Sequence, residues 1–221
     1  PNLDQLKWFG ATVGRINDRD GVPFMLTRSG YTGELGYELF CARDAALPLW
    51  DALMEAGTDY GLMPLGAAAL ETIRIEAGLA AGGAEFASGY DAFEAGLGFA
   101  VDLKKTEFVG HEALRRNAQA PRRKLVGLHL QSADVPVAGS PVFQGARQIG
   151  EVTSATQSLM LGHAIAMARL SVEFAAIGGE LEVGQLDGRM KRLDATVVPI
   201  PFFDPKRQRA RAGGRPCFQQ I

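Results

Sequence analysis

Six short strand-forming runs follow one another between residues 125 and 198, and no other feature restricts the fold of this chain more. They cover 125–130, 141–144, 148–154, 163–170, 180–186 and 189–198, with Gly145 and Asp187-Gly188 marking turns. A short strand cannot satisfy its backbone groups alone. Several at this spacing predict a small antiparallel barrel or sandwich. Upstream the pattern is different. Thr12 to Ile16 and Val22 to Leu26 flank a polar turn ending in Asp20-Gly21, which predicts a β-hairpin. Glycines cluster at Gly30, Gly33 and Gly36 before a strand-like Tyr37-Glu38-Leu39-Phe40. Leu47, Trp50, Leu53 and Met54 recur at helical spacing, with Gly57 as the expected stop. A second helix is expected over 66–77 with Gly78 as its cap, and a short one over 108–116.

The polar, basic Pro121-Arg122-Arg123-Lys124 separates the two patterns. The expected class is therefore α+β, with a mixed domain over 1–121 and an all-β domain over 122–205. After Asp204, Lys206, Arg207, Arg209, Arg211 and Arg215 form a basic tail over 206–221, read as a solvated and partly disordered terminus.

Composition excludes several functions. The chain has 221 residues, 47% of them apolar and 22% charged, and a net charge of −2. A nucleic-acid partner would call for a clustered positive excess, so none is expected. No apolar run is long enough to span a membrane, and the opening Pro1-Asn2-Leu3-Asp4 does not read as a charged-then-apolar signal segment. The expectation is a cytoplasmic protein. Cys41 and Cys217 are too few for a disulfide framework, and no Cys/His spacing suits a metal. The absent initial methionine is read as trimming or as the downstream part of a longer protein.

The segment most capable of chemistry is Arg28-Ser29-Gly30-Tyr31-Thr32-Gly33-Glu34-Leu35-Gly36-Tyr37-Glu38. It lacks the Gly-Lys-Ser/Thr end of a phosphate-binding loop and the Gly-x-Gly-x-x-Gly of a dinucleotide site. It does place two carboxylates and two phenols beside flexible backbone. Alternation puts Glu38 on the strand face opposite Tyr37 and Leu39. For an arbitrary strand, that describes an outward-facing surface glutamate.

This segment resembles the arginine-threonine-glycine-tyrosine-threonine-glycine-glutamate signature of the glycine cleavage T-protein (aminomethyltransferase) family. The similarity continues in order through Thr72-Ile73-Arg74-Ile75-Glu76-Ala77-Gly78 and Phe93-Glu94-Ala95-Gly96-Leu97-Gly98-Phe99-Ala100-Val101. It resumes at Phe108-Val109-Gly110-His111-Glu112-Ala113-Leu114, Gly150-Glu151-Val152-Thr153-Ser154 and Pro201-Phe202-Phe203-Asp204-Pro205. The resemblance implies a folate-binding α/β segment followed by a C-terminal antiparallel β-barrel, with tetrahydrofolate in a channel between domains. It also implies that Glu38 holds the pterin and that Tyr31 lines the same site. An ionised carboxylate can accept the pterin N3–H and 2-amino group together, a charge-assisted pair that is short and directional. The implied activity is tetrahydrofolate-dependent transfer of an aminomethyl or methyl unit, with folate and a lipoyl carrier protein as partners and no metal.

Two departures qualify the resemblance. The family's alanine-arginine-aspartate triplet, whose arginine meets the folate, reads Ala69-Leu70-Glu71 here, and leucine supplies no cation. Demethylases and the folate-binding parts of demethylating dehydrogenases also differ at this helix, which keeps them as alternatives. The family's catalytic aspartate lies upstream of anything in this chain, so no catalytic residue is assigned. These residues alone are expected to show little transferase turnover. A non-catalytic folate-binding accessory protein is a further alternative, opposed by the lack of that branch's lysine-glycine-cysteine-tyrosine motif around Cys41.

Other candidates read as structure. His111, His129 and His163 are isolated in sequence, and Ser29, Ser154 and Ser158 lack a nucleophile-elbow context. Arg74 and Glu76 are expected to be helix-surface or interdomain polar partners. Glu94 either supports the implied channel or hydrogen-bonds in the interior.

Overall fold

A computed structural model describes residues 3–16, 21–87, 89–188 and 191–211. The chain runs through β1 (Ala11–Arg15), β2 (Pro23–Thr27), β3 (Glu38–Cys41), α1 (Ala46–Gly57), α2 (Ala67–Glu76) and α3 (His111–Gln119). Then come β4 (Arg123–Leu130), β5 (Pro141–Gln144), β6 (Arg147–Gln157), β7 (Ala164–Ser171), β8 (Glu180–Gly184), β9 (Arg192–Val198) and α4 (Gln208–Arg211). Two compact units result, residues 1–70 with 206–221 and residues 71–205. The division falls inside α2, while the composition change near Pro121 lies where α3 gives way to β4.

In the unit of residues 71–205, the expected barrel forms. Its six strands close in the order β4-β7-β6-β5-β8-β9, every pair antiparallel. Closure removes the unpaired edges that a flat sheet would expose. β7 explains why its run is apolar without alternation. Ala164, Ala166, Ala168 and Leu170 face a core shared with Val126, Leu128, Leu130, Val142, Val152, Leu181, Val183, Leu193 and Val197. Ile165 and Met167, on the other side, pack with Ile75 of α2, Leu125, Ile200 and Phe202. A strand covered on both faces reads as continuously hydrophobic.

α2 ends on Gly78, at φ +61, as expected; a Cβ there would lie 3.0 Å from Pro201 Cα. The second and the last of the signature segments meet at this point, since Phe202 and Phe203 donate their backbone N–H groups to Glu76 O at 3.1 and 3.0 Å.

In the unit of residues 1–70 and 206–221, β1, β2 and β3 form an antiparallel sheet in that order. Arg15 faces Pro23, Met25 faces both Val13 and Phe40, and Thr27 faces Glu38. Asp20 of the expected hairpin turn lies outside the described residues, as do residues 212–221 of the basic tail and Cys217. α1 stops differently from the sequence expectation. Gly57 has ordinary helical φ, a 3-10 turn follows over Thr58–Tyr60, and the left-handed residue is Gly61 at φ +70. Gly57 is needed for space instead: a Cβ on it would collide with the Leu62 side chain.

Gly150 of β6 leaves no room for a side chain, because a Cβ there would strike Arg169 O and the Leu170 side chain. Overpacking of this kind costs about 1–3 kcal/mol. Gly150→Ala is therefore expected to lower the free energy of urea unfolding by that amount and the midpoint accordingly, and an unchanged midpoint would contradict this packing.

Candidate functional site

The Arg28–Glu38 segment begins at a pinned point. Arg28 N–H donates to Gly10 O at 2.9 Å, and Phe9 N–H donates to Arg28 O at 2.9 Å. The Arg28 guanidinium is buried and donates to Leu6 O at 2.9 Å and Arg211 O at 3.3 Å. Gly33 takes φ +75, a conformation that side chains resist. Gly30 and Gly36 run side by side, so a Cβ on Gly30 would lie 3.7 Å from Gly36 Cα. Glu34 is held from outside the loop, with Arg209 Nε donating to Oε1 at 2.6 Å and Oε2 at 2.8 Å. Part of the basic tail thus folds as α4 in the same unit and fastens this turn.

Glu38 opens β3 and is exposed. Ser29 Oγ donates to its Oε2, and Thr27 Oγ1 lies 2.7 Å from Ser29 Oγ. The carboxylate is therefore fixed in direction while still presented to solvent. Register and strand alternation place it on the face of Thr27, Met25, Phe40 and Val13. Val13, Met25 and Phe40 are exposed at 76%, 42% and 50%. An anchored carboxylate beside an apolar strip offers charge-assisted acceptors next to a surface that a flat, hydrogen-bonding heterocycle can cover. Tyr31 is half-buried within the glycine-rich turn.

Other signature segments converge elsewhere, in the unit of residues 71–205. Arg74 and Glu76 are not on the helix surface. Arg74 is 1% exposed and Glu85 0%. Arg74 Nη1 donates to Glu85 Oε2 at 2.9 Å and to Leu79 O at 3.1 Å, and Nη2 donates to Ser154 Oγ at 2.6 Å. Its Nε reaches Glu71 Oε2 at 3.0 Å, and Nη2 also pairs with Glu71 Oε1. Glu85 further accepts from Ala81 N–H at 2.9 Å, Thr153 Oγ1 at 2.7 Å and Ser154 Oγ at 2.6 Å. Successive strand residues normally point to opposite faces. Here the β6 register shifts between Val152 and Ser154, and this bulge turns both hydroxyls to one carboxylate. Glu76 takes Ser158 Oγ at 2.5 Å and Met160 N–H at 3.1 Å.

Sequence reasoning missed Glu85. Its signal was a lone charge in the alanine- and glycine-rich stretch 77–90. The Glu71 carboxyl, at the family-aspartate position of the triplet, is held below its usual pKa chiefly by the Arg74 hydrogen bond. Leu70 is half-buried.

The histidines are not all isolated. His129 and His163 pack ring on ring, with centroids 3.9 Å apart. His163 Nδ1–H donates to Leu161 O at 3.0 Å, and His111 Nε2–H donates to Leu103 O at 3.2 Å. Burial, and then the neighbouring His163, lower the His129 pKa. Among the described residues, no group of three or more His, Cys, Asp or Glu could hold a metal, and no helix is long and apolar enough to cross a membrane.

Two family models match the chain in order: the GCVT N-terminal domain over residues 2–105, and the Glycine cleavage T-protein C-terminal barrel domain over residues 123–204. The chain belongs to the glycine cleavage T-protein family. Among curated relatives it is 46% identical over 214 residues to a trimethylamine-oxide aldolase of Ruegeria pomeroyi, covering 96% of this chain and 27% of that protein. It is 42% identical over 186 residues to an aminomethyltransferase of Bacillus mycoides, covering 83% of this chain and 50% of that one. The solved glycine cleavage system aminomethyltransferase T of Bartonella henselae superposes with a TM-score of 0.80 at 28% identity, covering 91% of this chain and 54% of that one. The chain thus spans about half the length of these aminomethyltransferases and about a quarter of the aldolase.

Two measurements check this geometry. Arg74→Met strands a fully buried carboxylate and is expected to cost about 3–5 kcal/mol in urea unfolding; a loss below 1 kcal/mol would contradict the network. For His129, the folded pKa lies below the unfolded one, so the unfolded state binds more protons on acidification. Its contribution is complete above the ordinary value of 6.5 and is lost as pH falls through the lowered folded pKa. His129→Gln is expected to flatten the fall in melting temperature below about pH 6.5, and an unchanged acid slope would contradict this.

Proposed function

We propose that this chain is the folate-binding and barrel portion of a tetrahydrofolate-dependent one-carbon transferase. In this reading, residues 1–121 are the downstream part of the folate-binding domain and residues 122–205 are the barrel domain. The observation that carries the proposal is the Glu38 carboxylate, oriented by Ser29 and exposed beside the glycine-rich turn. Its two oxygens retain acceptor capacity for the paired N–H donors of a pterin edge. The apolar strip on the same sheet face suits the flat ring.

Tetrahydrofolate supplies a secondary amine, N5, that takes up the one-carbon unit. The work left to this chain is orientation. Glu38 grips the pterin edge, Ser29 fixes Glu38, and Tyr31 lines the turn. Gly33 and the Glu34–Arg209 pair hold the loop in shape. Positioning of this kind supplies much of the rate in a bimolecular transfer.

The family activity is aminomethyl transfer from a lipoyl carrier protein. Two observations favour a second reading, the folate-binding part of a demethylating enzyme. Leu70 stands where the family arginine would be. Similarity to an aldolase that acts on trimethylamine oxide covers 96% of the chain. In both readings the pterin sits on Glu38.

Calorimetric titration with 5-formyltetrahydrofolate tests the proposal. A hydrogen bond to a charged group contributes about 1.5–3 kcal/mol. Glu38→Gln is therefore expected to weaken binding by about tenfold or more, with Tyr31→Phe having a smaller effect. Absence of binding by the unaltered chain, or equal affinity in Glu38→Gln, would overturn it.

A further inference from the structure

Glu94 is a buried carboxylate for which the protein provides no partner. It is 5% exposed, and among the described residues its side chain makes no hydrogen bond or ion pair. Local sequence offers one, since Asp91-Ala92-Phe93-Glu94 has the spacing of a capping box. Half of that box forms: Asp91 Oδ1 accepts from Phe93 N–H at 2.7 Å and Glu94 N–H at 2.9 Å. The reciprocal bond from Asp91 N–H to Glu94 does not form. The carboxylate instead lines a pocket of about 260 Å³ together with Tyr90, Asp91, Asn117, Ala120 and Arg122. The residue is buried while its carboxylate opens on the pocket, which leaves both oxygens able to pair with a counter-charge that enters there.

The walls restrict what that counter-charge is. Asp91 is already committed, because Oδ2 accepts from Asn117 Nδ2 at 2.7 Å while Oδ1 serves the two backbone donors. One uncommitted carboxylate is too few for magnesium or calcium, which need six or more oxygens. Tyr90 borders the pocket, and its ring already carries two cations of the protein itself. The Arg169 guanidinium lies 3.4 Å from its ring centroid and that of Arg123 5.5 Å. Tyr90 OH is tied to Glu151 Oε1 at 3.2 Å. With the ring engaged, the uncommitted group is the Glu94 carboxylate, and a carboxylate at the wall of a small pocket pairs with the N–H donors of an ammonium head. We infer that this pocket binds a small organic ammonium ion through Glu94. Arg122 borders the same pocket and is the internal competitor, although it forms no ion pair with Glu94 among the described residues. None of these residues belongs to the Glu38 segment, so the inference stands or falls apart from the folate proposal.

The test is calorimetry of the whole chain with methylammonium chloride, and with tetramethylammonium chloride as a second probe. Saturable methylammonium binding is expected, weakened at least tenfold in Glu94→Gln. Arg122→Ala is expected to bind as well as or better than the unaltered chain. Ala120→Phe adds bulk to the wall of the pocket while keeping Glu94 and is expected to abolish binding with the melting temperature retained, which keeps the test valid if Glu94→Gln does not fold. Absence of saturable binding to either probe would overturn the inference. So would affinity unchanged in both Glu94→Gln and Ala120→Phe, or binding that appears only after Arg122 is removed.

Discussion

The pairing of Arg74 with Glu85 is the constraint around which the larger unit is organised. Placing both charges out of water carries a large desolvation penalty, and such a pair persists only when every donor and acceptor is used. Here that condition is met. The five guanidinium N–H groups go to Glu85, Leu79 O, Ser154 and both oxygens of Glu71. The four acceptor positions of Glu85 take Arg74, Ala81 N–H, Thr153 and Ser154. α2, the 79–87 loop and the bulged strand β6 are thereby held in one arrangement. Glu76, Ser158 and the Phe202–Phe203 backbone extend the same logic by one turn of helix.

The family signature therefore divides into two kinds of residue. Arg74, Glu76, Gly78, Gly150, Thr153 and Ser154 build a frame, and their requirement is completeness of hydrogen bonding or lack of space. Glu38 differs in kind. It is exposed, held by one serine, and has acceptor capacity to spare. Frame residues are sealed from ligands, whereas a residue that reads a ligand must keep unspent bonds. Glu94 combines burial with an unspent carboxylate, which is why it carries an inference of its own.

The barrel was legible in the sequence because each short strand alternates or is bounded by turn residues, and β5 begins and ends at the residues expected. What escaped depended on contacts distant in sequence. Arg74 and Glu76 have the spacing of an ordinary polar helix face, and only Glu85 and Ser158, 11 and 82 residues away, make them interior. The bulge at Thr153 cannot be read from its own sequence, because it exists to serve Glu85. His129 and His163 look isolated along the chain and meet only because β4 and β7 are neighbours in the barrel. In sequence Gly57 has the place of a conformational stop, whereas in the fold it leaves room for Leu62. Glu38 was legible through its motif; its exposure and its serine anchor were not.

The account turns on ligand recognition residing in the glycine-rich segment and not in the buried frame. Backbone amide shifts of the isotopically labelled chain, followed during titration with 5-formyltetrahydrofolate, test this most directly. The account predicts changes concentrated at Gly30, Tyr31, Gly33, Gly36 and Glu38, with Ala81, Thr153 and Ser154 undisturbed. Changes centred on those three frame residues, with the glycine-rich segment silent, would contradict it.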